Sequence, residues 1–214
     1  MKLTDALAEC PIVAIVRGIR PDEVLDHAET LFAAGVRGIE VPLNSPQPLD
    51  SIRLLAEHWG TRMVVGAGTV LDVGSVDAIA KTGGVLIISP NTNQAVIRRA
   101  VELGLDPAPG FATATEAFQA LEAGARHLKL FPAITYGPGH LKQLKAVLPA
   151  SATVWAVGGA GPDNMADWWA AGARAFGLGG EIYKAGQSVA DTAAKAVCAV
   201  SVARTLTAHP SARS

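Results

Sequence analysis

Lys129 stands in an apolar run, Leu128-Lys129-Leu130-Phe131-Pro132, that follows Gly124 and reads as a short strand. Side chains alternate along a strand, so Leu128 and Leu130 share one face while His127, Lys129 and Phe131 share the other. Burial disfavours an ammonium ion and lowers its pKa, and a neutral amine can attack a carbonyl carbon. Taken alone, the segment better suits a lysine whose head reaches solvent, since lysines are mostly exposed; the rest of the chain reverses that. Two other charged residues close similar runs: Arg17 follows Ile12-Val13-Ala14-Ile15-Val16, and Glu40 lies within Gly38-Ile39-Glu40-Val41. A carboxylate, an amine and a guanidinium enclosed together, with no metal ligands beside them, suit carbonyl chemistry better than metal-assisted hydrolysis. The plainer alternatives are a structural ion pair for Glu40 and Lys129, and a surface partner for Arg17.

The elements that must position these residues repeat as strand then helix. Strands are expected at residues 12–16, 38–41, 63–65, 85–88, 105–108, 128–130, 153–157 and 175–178. Each is followed by a helix, the second with Pro48 in its first turn and the sixth starting near Gly139. A short helix at 5–9 precedes them and a long Ala/Val-rich helix at 189–205 follows. Apolar parallel-type strands alternating with helices indicate an α/β fold with both sheet faces covered. Eight such units favour a single-domain (β/α)8 TIM barrel over an open doubly wound sheet. The barrel domain is placed at 1–206, with 207–214 as a loose carboxyl-terminal tail.

The chain has 214 residues, half of them hydrophobic, and a formal net charge of −1, so no nucleic-acid or anionic-membrane surface is indicated. Cys10 and Cys198 are far apart and fit no metal spacing, which points to a reduced, cytoplasmic setting. No apolar run approaches the roughly 18 residues of a membrane helix, and the start lacks a signal-peptide core.

In such a barrel the site gathers at the carboxyl ends of the strands. There the first strand delivers Arg17, in phase with Val13 and Ile15. The second delivers Glu40, out of phase with Ile39 and Val41, which face helices. The third ends at Thr69, the fourth at Pro90-Asn91, the sixth at Lys129, and the last two in Gly158-Gly159 and Gly179-Gly180. Glycine exits there suit a phosphate cradle of backbone N–H groups, with plain tight turns as the alternative. His127 is read as a core histidine, and His27, His58, His140 and His209 as surface residues. Trp155, Trp168 and Trp169 are read as packing helix against sheet. Gly66-Ala67-Gly68 lacks the third glycine and the acid of a dinucleotide fingerprint.

With these motifs in place, the chain resembles the small class I aldolases that act on 2-keto-3-deoxy-6-phosphogluconate (KDPG) and its galactonate epimer. The resemblance runs from about Ile12 to Gln187. It is carried by Ala14-Ile-Val-Arg-Gly, Gly38-Ile-Glu-Val-Pro-Leu-Asn-Ser-Pro, Val65-Gly-Ala-Gly-Thr-Val, Ser89-Pro-Asn, Pro109-Gly-Phe-Ala-Thr-Ala-Thr-Glu and Leu128-Lys-Leu-Phe-Pro, with Val157-Gly-Gly and Gly177-Leu-Gly-Gly. It implies that Lys129 forms a Schiff base, that Glu40 moves protons, and that Arg17, Thr69, Pro90 and the Gly159, Gly179 and Gly180 backbones bind substrate. It also implies a homotrimer, no metal or other cofactor, and cleavage of a keto-deoxy sugar acid phosphate to pyruvate and glyceraldehyde 3-phosphate. Asn44, where the gluconate type usually has arginine, and Gly186-Gln187-Ser188 are similar to the galactonate type. Gly180 departs from the Gly-Ser of many relatives and loses a hydroxyl donor. The rival readings are a gluconate-type aldolase, a phosphosugar isomerase or epimerase with Glu40 as a plain base, and a silent barrel that only binds a sugar phosphate.

Overall fold

The computed structural model describes residues 1–208. The helix α1 (Leu3–Glu9) precedes β1 (Ile12–Ile15), α2 (Val24–Ala34), β2 (Gly38–Pro42) and α3 (Pro48–Trp59). Next come β3 (Val64–Gly68), α4 (Val73–Lys81), β4 (Leu86–Ile88), α5 (Gln94–Glu102), β5 (Asp106–Ala108), β6 (Gly110–Phe111) and α6 (Ala114–Glu122). The chain then forms β7 (His127–Leu130), α7 (Ala133–Lys145), β8 (Thr153–Val157), α8 (Met165–Ala170), β9 (Ala175–Leu178) and α9 (Val189–Ala208).

Nine parallel strands pair in the order β5-β4-β3-β2-β1-β9-β8-β7-β6. The end strands β5 and β6 are two halves of one pass, separated by Pro109 alone, so the ring closes as a (β/α)8 barrel. The fifth strand is therefore longer than expected. Proline cannot donate to a ladder and splits it; β5 pairs with β4 and β6 with β7, while the Pro109 carbonyl accepts from Lys129 N–H at 2.8 Å.

Strand parity sorts the core into two regions. Ile12, Ala14, Ile39, Val41, Leu128 and Leu130 face the helices, whereas Val13, Ile15, Val64, Leu86, Ile88 and Val157 fill the barrel. Leu3 and Ala6 of α1 belong to that inner cluster and plug the amino-terminal mouth. Trp155 is also inside it, correcting the expectation that it packs helix on sheet. Its indole N–H donates to Nδ1 of buried His127 at 3.2 Å. Desolvation lowers the His127 pKa to about 4, so the imidazole is a neutral acceptor and a core residue, as expected. Trp168 is buried against the helical layer, and the Trp169 ring stacks 6.3 Å from Phe176.

His27 is a second correction. It is buried between α2 and α9, with Nδ1 2.9 Å from Thr192 Oγ1 and its ring edge-on to Tyr183. His58 is exposed and His140 half-buried; His209 and the tail beyond 208 lie outside the described residues. Residues 207 and 208 belong to α9 rather than to the tail. The helix expected from Gly139 begins earlier, at Ala133, and breaks at Gly137 (φ 76°, ψ 164°) before resuming at Pro138.

Candidate active site

Glu40 and Lys129 sit on β2 and β7, four strands apart around a ring of eight, so they face each other across the barrel. Both point inward, opposite in parity to Ile39/Val41 and Leu128/Leu130. Both are buried, at 1% and 6% exposure. Among the described residues, Glu40 Oε2 has no hydrogen-bond partner. Burial pushes the Glu40 carboxyl up to about 7, against the opposing pull of Lys129 and then Arg17. Burial likewise pushes the Lys129 ammonium below its ordinary range; Glu40 works against that shift and Arg17 adds to it. The Lys129 Nζ lies 4.5 Å from the centre of the Phe131 ring. The two groups feel each other's charge, yet among the described residues neither appears in an ion pair within 4.0 Å. A structural salt bridge is thus not what keeps them there. The pair is an amine biased toward neutrality opposite a carboxyl able to take or give a proton near neutral pH.

Inward glycines make the room. A Cβ on Gly68 of β3 would fall 1.9 Å from Glu40 Oε2, and one on Gly66 would fall 2.0 Å from the Leu86 carbonyl oxygen. This was missed in the sequence, where Gly66-Ala-Gly appeared as a failed dinucleotide motif and as part of the family resemblance, with no steric role.

Arg17 reaches the mouth from β1. It is exposed, and its Nη1 donates to Asn44 Oδ1 on the loop after β2. Gly18 N–H donates to Ser45 Oγ at 2.9 Å, so the β1 and β2 exits are joined twice. Thr69 is half-buried at the β3 exit with φ 59°, a left-handed conformation uncommon for a β-branched residue. Pro90 is half-buried at the β4 exit, and its carbonyl packs so closely on Gly110 that a Cβ there would fall 2.2 Å away.

The paired glycines expected to cradle phosphate lie in the loops after β8 and β9. Gly158 and Gly159 both have positive φ, at 88° and 81°, which a side chain would oppose. A Cβ on Gly159 would also strike Ile134 at 2.5 Å. Asn164 fixes this loop by accepting from Gly161 N–H at 3.0 Å and donating to the Gly159 carbonyl at 2.8 Å. After β9, the Gly179 carbonyl accepts from both Ile182 and Tyr183 N–H at 2.8 Å, which turns the chain over Gly180. Among the described residues, the backbone N–H groups of Gly159, Gly179 and Gly180 have no protein acceptor. Asn164 and the turn after Gly180 carried no signal in the sequence beyond their place behind paired glycines. Among the described residues, no cluster of His, Cys, Asp or Glu could hold a metal ion, and no helix is long and apolar enough to cross a membrane.

A family model described as "KDPG and KHG aldolase" matches residues 3–199. The chain is 50% identical to a 2-dehydro-3-deoxy-6-phosphogalactonate aldolase of Escherichia coli (strain K12), over 91% of this chain and 95% of that one. It is 43% identical to a probable 2-dehydro-3-deoxy-6-phosphogalactonate aldolase of Rhizobium meliloti, over 88% and 89% of the two. A solved structure titled "Native KDPGal structure" superposes with a TM-score of 0.91 at 49% identity, covering 93% of this chain and 97% of that one. Barrel, site and relatives together make this protein an aldolase, a carbon–carbon lyase. The chain belongs to the KDPG and KHG aldolase family.

Proposed function

We propose that the protein is a class I aldolase that cleaves 2-dehydro-3-deoxy-6-phospho-D-galactonate to pyruvate and D-glyceraldehyde 3-phosphate. The observation that carries this reading is buried Lys129, whose ammonium is disfavoured by desolvation, facing buried Glu40, whose Oε2 lacks a partner among the described residues. Neutral Lys129 Nζ attacks the substrate's keto carbon, and loss of water gives an iminium that draws electrons. Glu40 takes the proton of the C4 hydroxyl. The C3–C4 bond breaks, its electron pair passing into the iminium to form an enamine while the C4 oxygen becomes the aldehyde. Glyceraldehyde 3-phosphate leaves, Glu40 returns the proton to C3, and water releases pyruvate from Lys129. The iminium itself supplies the electron sink, so this scheme calls for neither metal nor cofactor.

Arg17, held by Asn44, provides the cation for the carboxylate end of the substrate, with Thr69 and Pro90 on the neighbouring rim. The N–H groups of Gly159, Gly179 and Gly180 receive the phosphate. The galactonate configuration is favoured by the names of the two relatives, by Asn44 and by Gly186-Gln187-Ser188. A homotrimer acting in the cytoplasm, in the breakdown of galactose-derived sugar acids, completes the proposal.

Borohydride reduction in the presence of pyruvate tests it. The expected result is a stable pyruvyl adduct located on Lys129 by mass spectrometry and absent from Lys129→Ala. An adduct on the Lys129→Ala protein would overturn the assignment, and binding of the sugar phosphate without turnover would support the silent barrel instead.

A further inference from the structure

The turn after β9 carries a cation that the sequence did not single out. The Gly179 carbonyl captures Ile182 and Tyr183 N–H, so the chain doubles back within four residues of Gly180. That turn is held from behind. Tyr183 is buried and its hydroxyl donates to Glu23 Oε1 at 3.3 Å, while Gln187 Nε2 donates to the Ile182 carbonyl at 2.7 Å. Lys184 follows directly, with its stem laid over Gly180: a Cβ on that glycine would lie 3.7 Å from Lys184 Cε. The lysine is exposed, and among the described residues it joins no ion pair and no side-chain hydrogen bond. The one acid on the turn, Glu181, leans the other way, with its Cγ 3.0 Å from where a Cβ of Gly161 would stand.

We infer that Lys184 is a phosphate-binding residue, placing its ammonium beside the free N–H groups at the β9 exit where Gly180 offers no hydroxyl. The inference rests on the proposed phosphate end of the site. A phosphate dianion at Gly179 and Gly180 meets three kinds of donor: the N–H groups of the last strand, those of Gly159, and one mobile cation. A lysine suits this place because it brings point charge without a fixed fork.

The test compares cleavage of the phosphorylated keto-deoxy sugar acid with cleavage of the same acid lacking phosphate. In the unsubstituted protein the phosphorylated form should be preferred in kcat/KM. Lys184→Gln should reduce that preference about tenfold, mainly through KM, the size of one charge-assisted hydrogen bond. Lys184→Arg should retain it, and Gly180→Ser in the Lys184→Gln background should restore part of it, since the added Cβ has room. Preference for phosphate undiminished in Lys184→Gln overturns the role of Lys184. No preference in the unsubstituted protein, with pyruvate still trapped on Lys129, overturns the phosphate end of the site instead and the inference with it.

Discussion

The carboxylate of Glu40 rests over the Cα of Gly68, so that a methyl group at position 68 would occupy the place of Oε2 at 1.9 Å and crowd Cδ at 2.4 Å. The backbone of Gly68 is ordinary strand, without positive φ, so alanine there is refused by the carboxylate and not by the chain. Gly68→Ala should turn Glu40 away from the mouth and lower kcat by about 10²-fold or more, the scale of a lost general base. Imine formation with pyruvate, which needs only Lys129, should persist under borohydride. Unaltered turnover in Gly68→Ala would show that Glu40 does not act from this position.

As the base of the proposed mechanism, Glu40 should also set a pH limb. Its carboxyl titrates near 7, raised by desolvation, and as a base it must be ionised, so kcat/KM should fall as pH drops below about 7. Glu40→Gln should lose roughly 10²–10⁴-fold in rate and the limb with it. A limb at the same pH in the glutamine variant would assign it to another group.

The same shift is a statement about stability. The folded protein holds a proton on Glu40 between pH 4.5 and about 7 that the unfolded chain releases. Its contribution is therefore fully present below pH 4.5 and is lost as pH rises through 7, when the buried carboxyl ionises. Glu40→Gln keeps the neutral form's shape at every pH. Its melting temperature relative to the unsubstituted protein should climb from pH 5 to pH 8, by an amount corresponding to about 3 kcal/mol or less. A constant difference across that range, by calorimetry, would contradict burial as the cause.

Much of this site was legible in the sequence because strand parity and fold rule act together. Ile39/Glu40/Val41 and Leu128/Lys129/Leu130 alternate, and barrel sites lie at strand ends, so the inward pair follows from spacing once the barrel is inferred. Trp155 obeys the same parity, lying in phase with Val157 and out of phase with Val154 and Ala156; its size suggested a helix contact, whereas it packs inside the barrel with its indole N–H on His127. Other features are contacts between residues distant in the chain. His27 is buried only because α9 delivers Thr192 and the turn after β9 delivers Tyr183. Local signals also misled where two conflicting ones adjoin. Gly137-Pro138 reads as a break, and it is one, but a helical turn starting at Ala133 precedes it. Pro109 likewise interrupts the fifth strand without ending it.

Lys129 should be a cost to the fold that the chemistry retains. Desolvation disfavours its ammonium, and among the described residues no carboxylate contacts it within 4.0 Å. Methionine has similar length and no charge, so Lys129→Met should abolish the pyruvyl adduct while leaving the protein equally stable or up to about 3 kcal/mol more stable. The comparison belongs at pH 6, where Glu40 is mostly protonated and is not stranded as a buried anion. A melting temperature several degrees below that of the unsubstituted protein would mean that the lysine serves the fold as well.

Asn164 should act on binding through a loop it never leaves. Its amide clamps both ends of Gly159-Ala160-Gly161, donating to the first carbonyl and accepting from the last N–H, and so holds Gly159 at φ 81° with its N–H turned out. Asn164→Ala removes two hydrogen bonds, each worth about 0.5–1.5 kcal/mol, from a part-buried loop. The loop can then relax away from its left-handed turn, and the outward N–H loses its fixed direction. KM for the phosphorylated substrate should rise about five- to twentyfold with kcat falling less, because Lys129 and Glu40 stand on other strands. Asn164→Asp keeps the acceptor for Gly161 but gives up the donor to Gly159 and brings a negative charge, so its KM should be at least as high. Steady-state kinetics of the two variants decide the matter: equal loss of kcat and no change in KM would mean that the loop orders the reacting end of the site rather than its phosphate end.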